Sequence, residues 1–242
     1  MDAICLVVRG SRVGLDYLEH AFDYSWVTSS AASIGELQQR VHRMQGAAVR
    51  RTLESLPGMA GVLRLKTGGA YAVDSPSLAM ALMAGPSLSG EWSAVVGAPD
   101  FGLEAAANFG LDLDRTVVVP RPGEHWLSVT AGLIEVASVV LVKPPMMPTE
   151  QQAMRLRARL RQKDAALICW GSWPGCEATM SIVESSWLGL GSGYGHLSGR
   201  QVVVTLTEGG RIRRIPLWLP GPDLTVSPRA LPHVPLVTAQ AG

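Results

Sequence analysis

Two glycines, Gly97 and Gly102, have the spacing of the phosphate-binding loop G-x-x-x-x-G-K-[ST] and lie between an apolar run and a helical pattern. In such a loop the lysine binds the phosphates and the Ser/Thr hydroxyl binds magnesium. Leu103 and Glu104 occupy those two positions, and Asp100 adds negative charge where phosphates would bind. The pattern predicts a phosphate loop without its catalytic residues; the alternative is an ordinary strand-to-helix turn in which Glu104 stabilises the first helical turn.

The other positions that hydrolysis would need are equally unsuited. The run Val139–Val142 leads into Lys143 and not into a magnesium-binding Asp, and Val117–Val119 continues as Pro-Arg-Pro, with Glu124 displaced into the next helix. The five histidines have no metal-binding spacing, and three cysteines are too few for a disulfide framework or a four-ligand zinc site. We therefore expect no enzyme activity, no metal site and no cofactor, and a reducing cytoplasm as the location.

Near-continuous apolar runs alternate with helical patterns through the middle of the chain. The runs are Trp92–Val96, Thr116–Val119, Ser138–Val142 and Ala166–Trp170, separated by helical patterns at 102–109, 124–136 and 149–163. An earlier strand, Ala70–Val73, leads to Ser75 as a helix cap, Pro76 in the first turn and a helix over Leu78–Ala84. Strands buried on both faces predict an α/β fold with a mainly parallel central sheet flanked by helices.

The two ends of the chain have different patterns. Residues 1–32 predict a poorly ordered segment, and Ile34–Leu53 an amphipathic helix interrupted at Gly46. Val202–Thr207 and Arg211–Leu217, joined by Gly209-Gly210, predict a C-terminal β-hairpin. We expect one domain over 33–220 and a Pro-rich tail over 221–242.

Composition favours a folded globular protein, with 47% hydrophobic and 17% charged residues. The net charge is +1, but residues 151–242 carry ten of the 21 Lys/Arg and only five of the 20 Asp/Glu. This excess is smaller than that of a dedicated DNA-binding domain, so direct DNA contact stays open. No apolar run reaches the roughly 20 residues of a membrane span, so we expect no membrane partner.

Basic and aromatic residues in the last third are the candidates for contact with a partner or with DNA. Arg155, Arg157, Arg159, Arg161 and Lys163 lie on one predicted helix, spaced by two residues and therefore spread around its outer surface. Arg211 and Arg213 share a face of the hairpin, and Trp187 and Arg200 flank a glycine-rich stretch, Gly189–Gly195, interpreted as a flexible loop. Each set is either a solvated surface or a contact surface.

The chain resembles the ImuA-type proteins of bacterial SOS mutagenesis, in their shorter actinobacterial ImuA-prime form, which are distant relatives of RecA and of the division inhibitor SulA. The similarity covers roughly residues 33–220, and none of its blocks is a catalytic signature. They are Ala70–Val73, Leu78–Leu82, Val95–Ala106, Gly110–Arg115, Trp126-Leu127, Lys143–Pro145, Leu156–Arg161 and Gly171–Gly175.

This resemblance implies a RecA-like core and a non-catalytic role in error-prone translesion DNA synthesis, part of the SOS response to DNA damage. The implied partners are ImuB, an inactive Y-family polymerase homologue, and an error-prone replicative-type polymerase. RecA, a second copy of the chain and DNA are further partners to consider. Two alternatives stay open: a SulA-like inhibitor of cell division, and an ATPase completed by its partner.

The resemblance also bears on the start of the chain. Glu19–Asp23 can be encoded by DNA containing the inverted repeat GAAC-N4-GTTC, which is typical of actinobacterial SOS-repressor boxes. We therefore consider that residues 1–30 are a translated promoter and that the translation start is mis-assigned. Sequencing the DNA at these codons decides it.

Overall fold

The computed structural model of the protein describes residues 50–189 and 195–229. Strands alternate with helices up to Trp170, and the rest of the described chain forms strands only. The elements are β1 (Ala70–Val73), α1 (Pro76–Leu88), β2 (Ser93–Val96), α2 (Leu103–Asn108), β3 (Thr116–Val119), α3 (Trp126–Leu133), β4 (Val139–Val142), α4 (Glu150–Gln162), β5 (Ala166–Trp170), β6 (Ala178–Leu188), β7 (Gly199–Glu208), β8 (Arg211–Trp218) and β9 (Ser227–Pro228). Single turns of 3-10 helix precede β3 and α3.

All nine strands form one mixed sheet in the order β3-β2-β4-β5-β1-β6-β7-β8-β9. Six neighbouring strands, from β3 to β6, run parallel, and β7, β8 and β9 continue the sheet as antiparallel neighbours. The predicted α/β class, the parallel centre and the C-terminal hairpin are therefore confirmed. β1, β3 and β5 also have the predicted bounds.

Two apolar cores lie on opposite faces of the sheet. One packs α1 and α2 against Tyr71, Val95 and Leu141, and it extends along the antiparallel strands to Val204 and Leu217. The other packs α3 and α4 against a second set of strand residues that includes Val140 and Leu167. Because β1, β2, β4 and β5 are buried on both faces, their sequences are near-continuous apolar runs.

Helices α1 and α4 begin at caps that the sequence specifies. The Ser75 hydroxyl accepts a hydrogen bond from the Leu78 amide at 3.3 Å, with Pro76 in the first turn. Thr149 and Gln152 form a capping box at the start of α4, and Leu156 and Leu160 lie on its buried face. α1 is buried on nearly all sides, and it ends at Leu88, beyond the predicted end at Ala84.

The predicted N-terminal helix does not extend to Leu53. Arg50–Leu53 is not helical: Thr52 forms an antiparallel bridge to Lys66, and the Leu53 amide donates to the Leu65 carbonyl at 2.9 Å. This pairing lets Leu53 bury its side chain in the larger core. The free energy gained by burying Leu53 outweighs the tendency of this segment to continue the predicted helix.

The expected tail boundary at residue 221 is wrong for residues 221–229. β9 pairs with β8, and Val226 is buried in the core. The backbone of Val226 lies so close to Gly58 that a Cβ atom at position 58 would collide with the Val226 carbonyl group. The domain therefore includes the chain up to Arg229.

Several predicted features lie outside the described residues. These are the segment 1–32, the helix from Ile34 up to residue 49, positions 190–194 of the glycine-rich stretch, and residues 230–242 of the tail. Among the helices that the structure describes, none combines the length and the apolar character needed to cross a bilayer.

Candidate functional site

Ligands of α/β sheets bind where the parallel strands end, close to the strands at which the chain reverses its direction across the sheet. From the sequence alone, β2 is expected to be the first central strand. In the sheet, however, β2 lies one strand from the edge, whereas β1 lies between β5 and β6. The connection after β1 is therefore the one that enters the middle of the sheet, while the predicted phosphate loop follows β2, next to the edge strand β3.

The connection after β1 consists of Asp74 and Ser75 only, because β1 ends at Val73 and α1 begins at Pro76. The Ser75 hydroxyl caps α1, and the Asp74 carboxylate accepts a hydrogen bond from the Ile182 amide at 2.9 Å. A phosphate loop needs several consecutive residues whose amides surround the phosphates. Two residues, both used for internal hydrogen bonds, leave no space for one.

The loop at 97–104 has a structural reason for its first glycine. Gly97 has φ +72°, and a Cβ placed there would lie 2.5 Å from the Lys143 carbonyl oxygen. Only glycine fits where these two loops meet. Gly102 is a backbone cap of the six-residue helix α2, and Leu103 and Glu104 are exposed in its first turn.

Three side chains, at or just after the carboxyl ends of β2, β4 and β5, contact one another. The Lys143 ammonium lies 2.9 and 2.8 Å from the two Asp100 carboxylate oxygens and 3.8 Å from the centre of the Trp170 ring. The hydrogen bonds from Lys143 lower the pKa of Asp100. Asp100 is thus paired with Lys143, and its charge is balanced within the protein.

The remaining strand end offers little that could bind a metal. Pro120, Arg121 and Pro122 follow β3, and Glu124 is exposed beside His125, 3.7 Å away. Within residues 50–189 and 195–229, no group of three or more His, Cys, Asp or Glu side chains is close enough together to bind a metal ion.

The predicted basic helix, α4, uses some of its cations for internal contacts. Arg157 donates to the Gly175 carbonyl, and Arg159 and Lys163 both pair with Glu135, beyond the end of α3. The Arg161 side chain covers Gly68, while Arg155 is exposed. The arginines of α4 therefore point in several directions and form no single stripe.

The hairpin arginines share a face, as predicted, since Arg211 pairs with Glu208 and Arg213 with Leu206 across the same two strands. Arg213 donates to the Val62 carbonyl at 2.7 Å, which fixes β8 to the segment that precedes β1. Arg211 is exposed beside the turn.

The structure brings Trp187 and Arg200 together. The sequence predicts a loop from Trp187 to Arg200, but Trp187 belongs to β6 and Arg200 to β7, where they are directly paired. The Arg200 guanidinium lies 5.4 Å from the centre of the Trp187 ring. The sequence does not indicate β6, because the alternation of buried and exposed residues is broken by an irregularity between Ile182 and Glu184 and because the second half of the strand is exposed.

β6 and β7 extend well beyond the parallel strands and form one wall of a groove. β6 pairs with β1 only over Ala178–Met180 and then continues to Leu188. The groove of about 460 Å³ lies between this extension, α2 and the start of α1. Its lining is mainly apolar and includes Met80, Phe109, Leu219, Pro220 and Leu224.

Arg200 is the one charged residue in the lining of this groove as the structure describes it. Its guanidinium donates to the hydroxyls of Ser185, at 2.9 Å, and Ser77, at 3.3 Å. Partial burial lowers the pKa of Arg200, and the negative charge of Asp74 partly offsets this effect. No ion pair joins Arg200 to a carboxylate of the described residues.

Comparison with known proteins gives two matches. Residues 57–175 match the family described as the MT3502 N-terminal domain. The chain is also 36% identical over 127 residues to the uncharacterized protein Rv3395c of Mycobacterium tuberculosis, a match that covers 52% of this chain and 58% of that protein. The family match begins before β1 and ends before β6. This chain is therefore similar to the MT3502 N-terminal domain over its five strands β1–β5 and the helices between them.

Proposed function

We propose that this protein is a non-catalytic, RecA-like accessory protein of SOS-induced, error-prone translesion DNA synthesis. In this role it is a cytoplasmic adaptor between an ImuB-type inactive Y-family polymerase and an error-prone replicative-type polymerase. The resemblance of its sequence blocks to the ImuA-type proteins motivates the proposal. The six parallel strands with helices on both faces are compatible with a RecA-like core.

One observation carries the non-catalytic part of the proposal. The connection at the centre of the sheet has only Asp74 and Ser75, and both make internal hydrogen bonds. A nucleoside triphosphate bound there would lack the amide cradle, the lysine and the magnesium-binding hydroxyl. The Lys143–Asp100 pair at the neighbouring strand ends leaves no free carboxylate in that pair for magnesium. Such an arrangement suits a scaffold better than a hydrolase.

Deleting the gene should abolish most DNA-damage-induced mutagenesis while cell division stays normal. The measurement is the frequency of drug-resistant mutants after ultraviolet irradiation, compared with an ImuB-type deletion and with the double deletion. If the two proteins act in one complex, the double deletion should be no more defective than either single deletion. Normal mutagenesis combined with filamentation on overexpression would instead support the SulA-like alternative.

A further inference from the structure

The groove beside Arg200 is open, apolar and positively charged at one end. The exposed fractions of two lining side chains, Trp187 at 48% and Leu224 at 54%, are high for large apolar residues. Apolar side chains that surround a concave surface are typical of interaction sites. The groove is therefore better suited to bind a protein segment than to remain in contact with water.

The positive charge of Arg200 indicates which kind of protein segment the groove would bind. Arg200 is held in place by two hydroxyl groups, Ser77 and Ser185, and by the ring of Trp187. None of these three groups carries a negative charge, and the nearby Asp74 carboxylate, which accepts from the Ile182 amide, forms no ion pair with Arg200. A carboxylate that entered the groove would pair with Arg200 in a partly desolvated site, where such pairs are strongest.

We propose that this groove binds a short acidic and apolar segment of the ImuB-type partner. An apolar side chain of the segment packs between Met80, Phe109 and Leu224, and a neighbouring carboxylate pairs with Arg200. This inference rests on the proposed adaptor function and assigns its partner surface. It also assigns a role to β6 and β7, which extend beyond the parallel strands.

Two substitutions test the groove. Arg200→Glu reverses the charge of the groove, and Leu224→Asp places a negative charge in its apolar lining. We expect each to weaken binding of the full-length ImuB-type protein at least about thirtyfold, as expected for a residue at the centre of an interface. Binding is measured by surface plasmon resonance with the full-length protein, and thermal melting checks the fold of each variant.

Matched controls change the same residue types elsewhere. Arg214→Glu reverses an exposed arginine that pairs with Glu184, and Ile212→Asp replaces an apolar residue that is 70% exposed. Both should bind the partner within about threefold of the wild type. Raising the salt concentration should weaken binding by the wild-type protein more than binding by Arg200→Gln, because screening acts on the ion pair that this variant lacks.

The outcomes separate the groove from the adaptor function. If the wild-type protein binds the partner and both groove variants bind it equally well, the groove is not the binding site, and the proposed adaptor function still stands. No binding by the wild type would contradict the adaptor function itself. If Arg200→Glu lowers the melting temperature, the exposed Leu224→Asp variant decides, since its side chain needs no buried space.

Discussion

Replacing Gly85 by alanine should lower the free energy of unfolding by about 3 kcal/mol, at the upper end of the usual cost of overpacking. A Cβ at this position would lie 2.6 Å from the Glu54 carbonyl oxygen, 2.6 Å from the Ser55 Cα and 2.7 Å from the Leu56 amide nitrogen. All three are backbone atoms, so no side-chain rotation can relieve the overlap. The segment before β1 must move away from α1, which opens the larger core.

The helix itself would gain from this substitution, because glycine in a helix interior is about 1 kcal/mol less favourable than alanine. Net destabilisation therefore requires the backbone contact. Gly61→Ala is the matched control, since a Cβ there meets nothing within 4 Å. Urea unfolding followed by circular dichroism measures both variants. Equal stability of Gly85→Ala and the wild type would show that α1 and the segment 54–56 are not packed as described.

Replacing Leu167 by alanine should also destabilise the protein, by about 2–5 kcal/mol. Leu167 is fully buried in β5, where it pairs with Ala70 and Val140 on the two neighbouring strands. Its side chain lies in the core beneath α3 and α4. Neighbours held in two parallel ladders cannot easily collapse into the space left behind, which places the expected cost in the middle of this range or above it.

Leu113→Ala provides the comparison, because Leu113 is exposed in a single 3-10 turn. We expect it to change the free energy of unfolding by no more than about 0.5 kcal/mol. The same urea titration measures both variants. A similar small effect for Leu167→Ala would contradict the assignment of β5 to the middle of a sheet that is covered on both faces.

The strands β1 to β5 are predicted well by their apolar runs, because burial leaves a near-continuous signal in the sequence. β3 and β5 were predicted to the residue. The hairpin was predicted from Gly209 and Gly210, which both have positive φ in the structure. These features depend on local sequence, so local patterns were sufficient to find them.

Strand order depends on contacts between residues far apart in the sequence, and no local pattern reports it. From the sequence alone, therefore, β2 is expected to be the first central strand, with the phosphate loop at Gly97–Glu104. Because β1 lies between β5 and β6, the connection in the middle of the sheet is Asp74-Ser75. The signal for it was present in the Ser75-Pro76 helix start, but its importance comes from the order of the strands.

The groove was only partly predictable for the same reason. Trp187 and Arg200 were singled out as contact candidates, but their pairing across β6 and β7 depends on an irregular strand. Phe109, Leu219 and Leu224 gave no functional signal in the sequence. They come together because β6 continues past β1 and because the chain returns after β8 to form β9.

The most direct test of the proposed lack of catalysis is a calorimetric titration of magnesium-ATP into the protein in complex with the proposed ImuB-type partner and single-stranded DNA. Release of inorganic phosphate is followed in the same mixture, and the partner alone serves as the control. The account predicts no saturable binding heat and no phosphate release beyond that control. Saturable binding with magnesium-dependent phosphate release would contradict it and would support an ATPase completed by the partner.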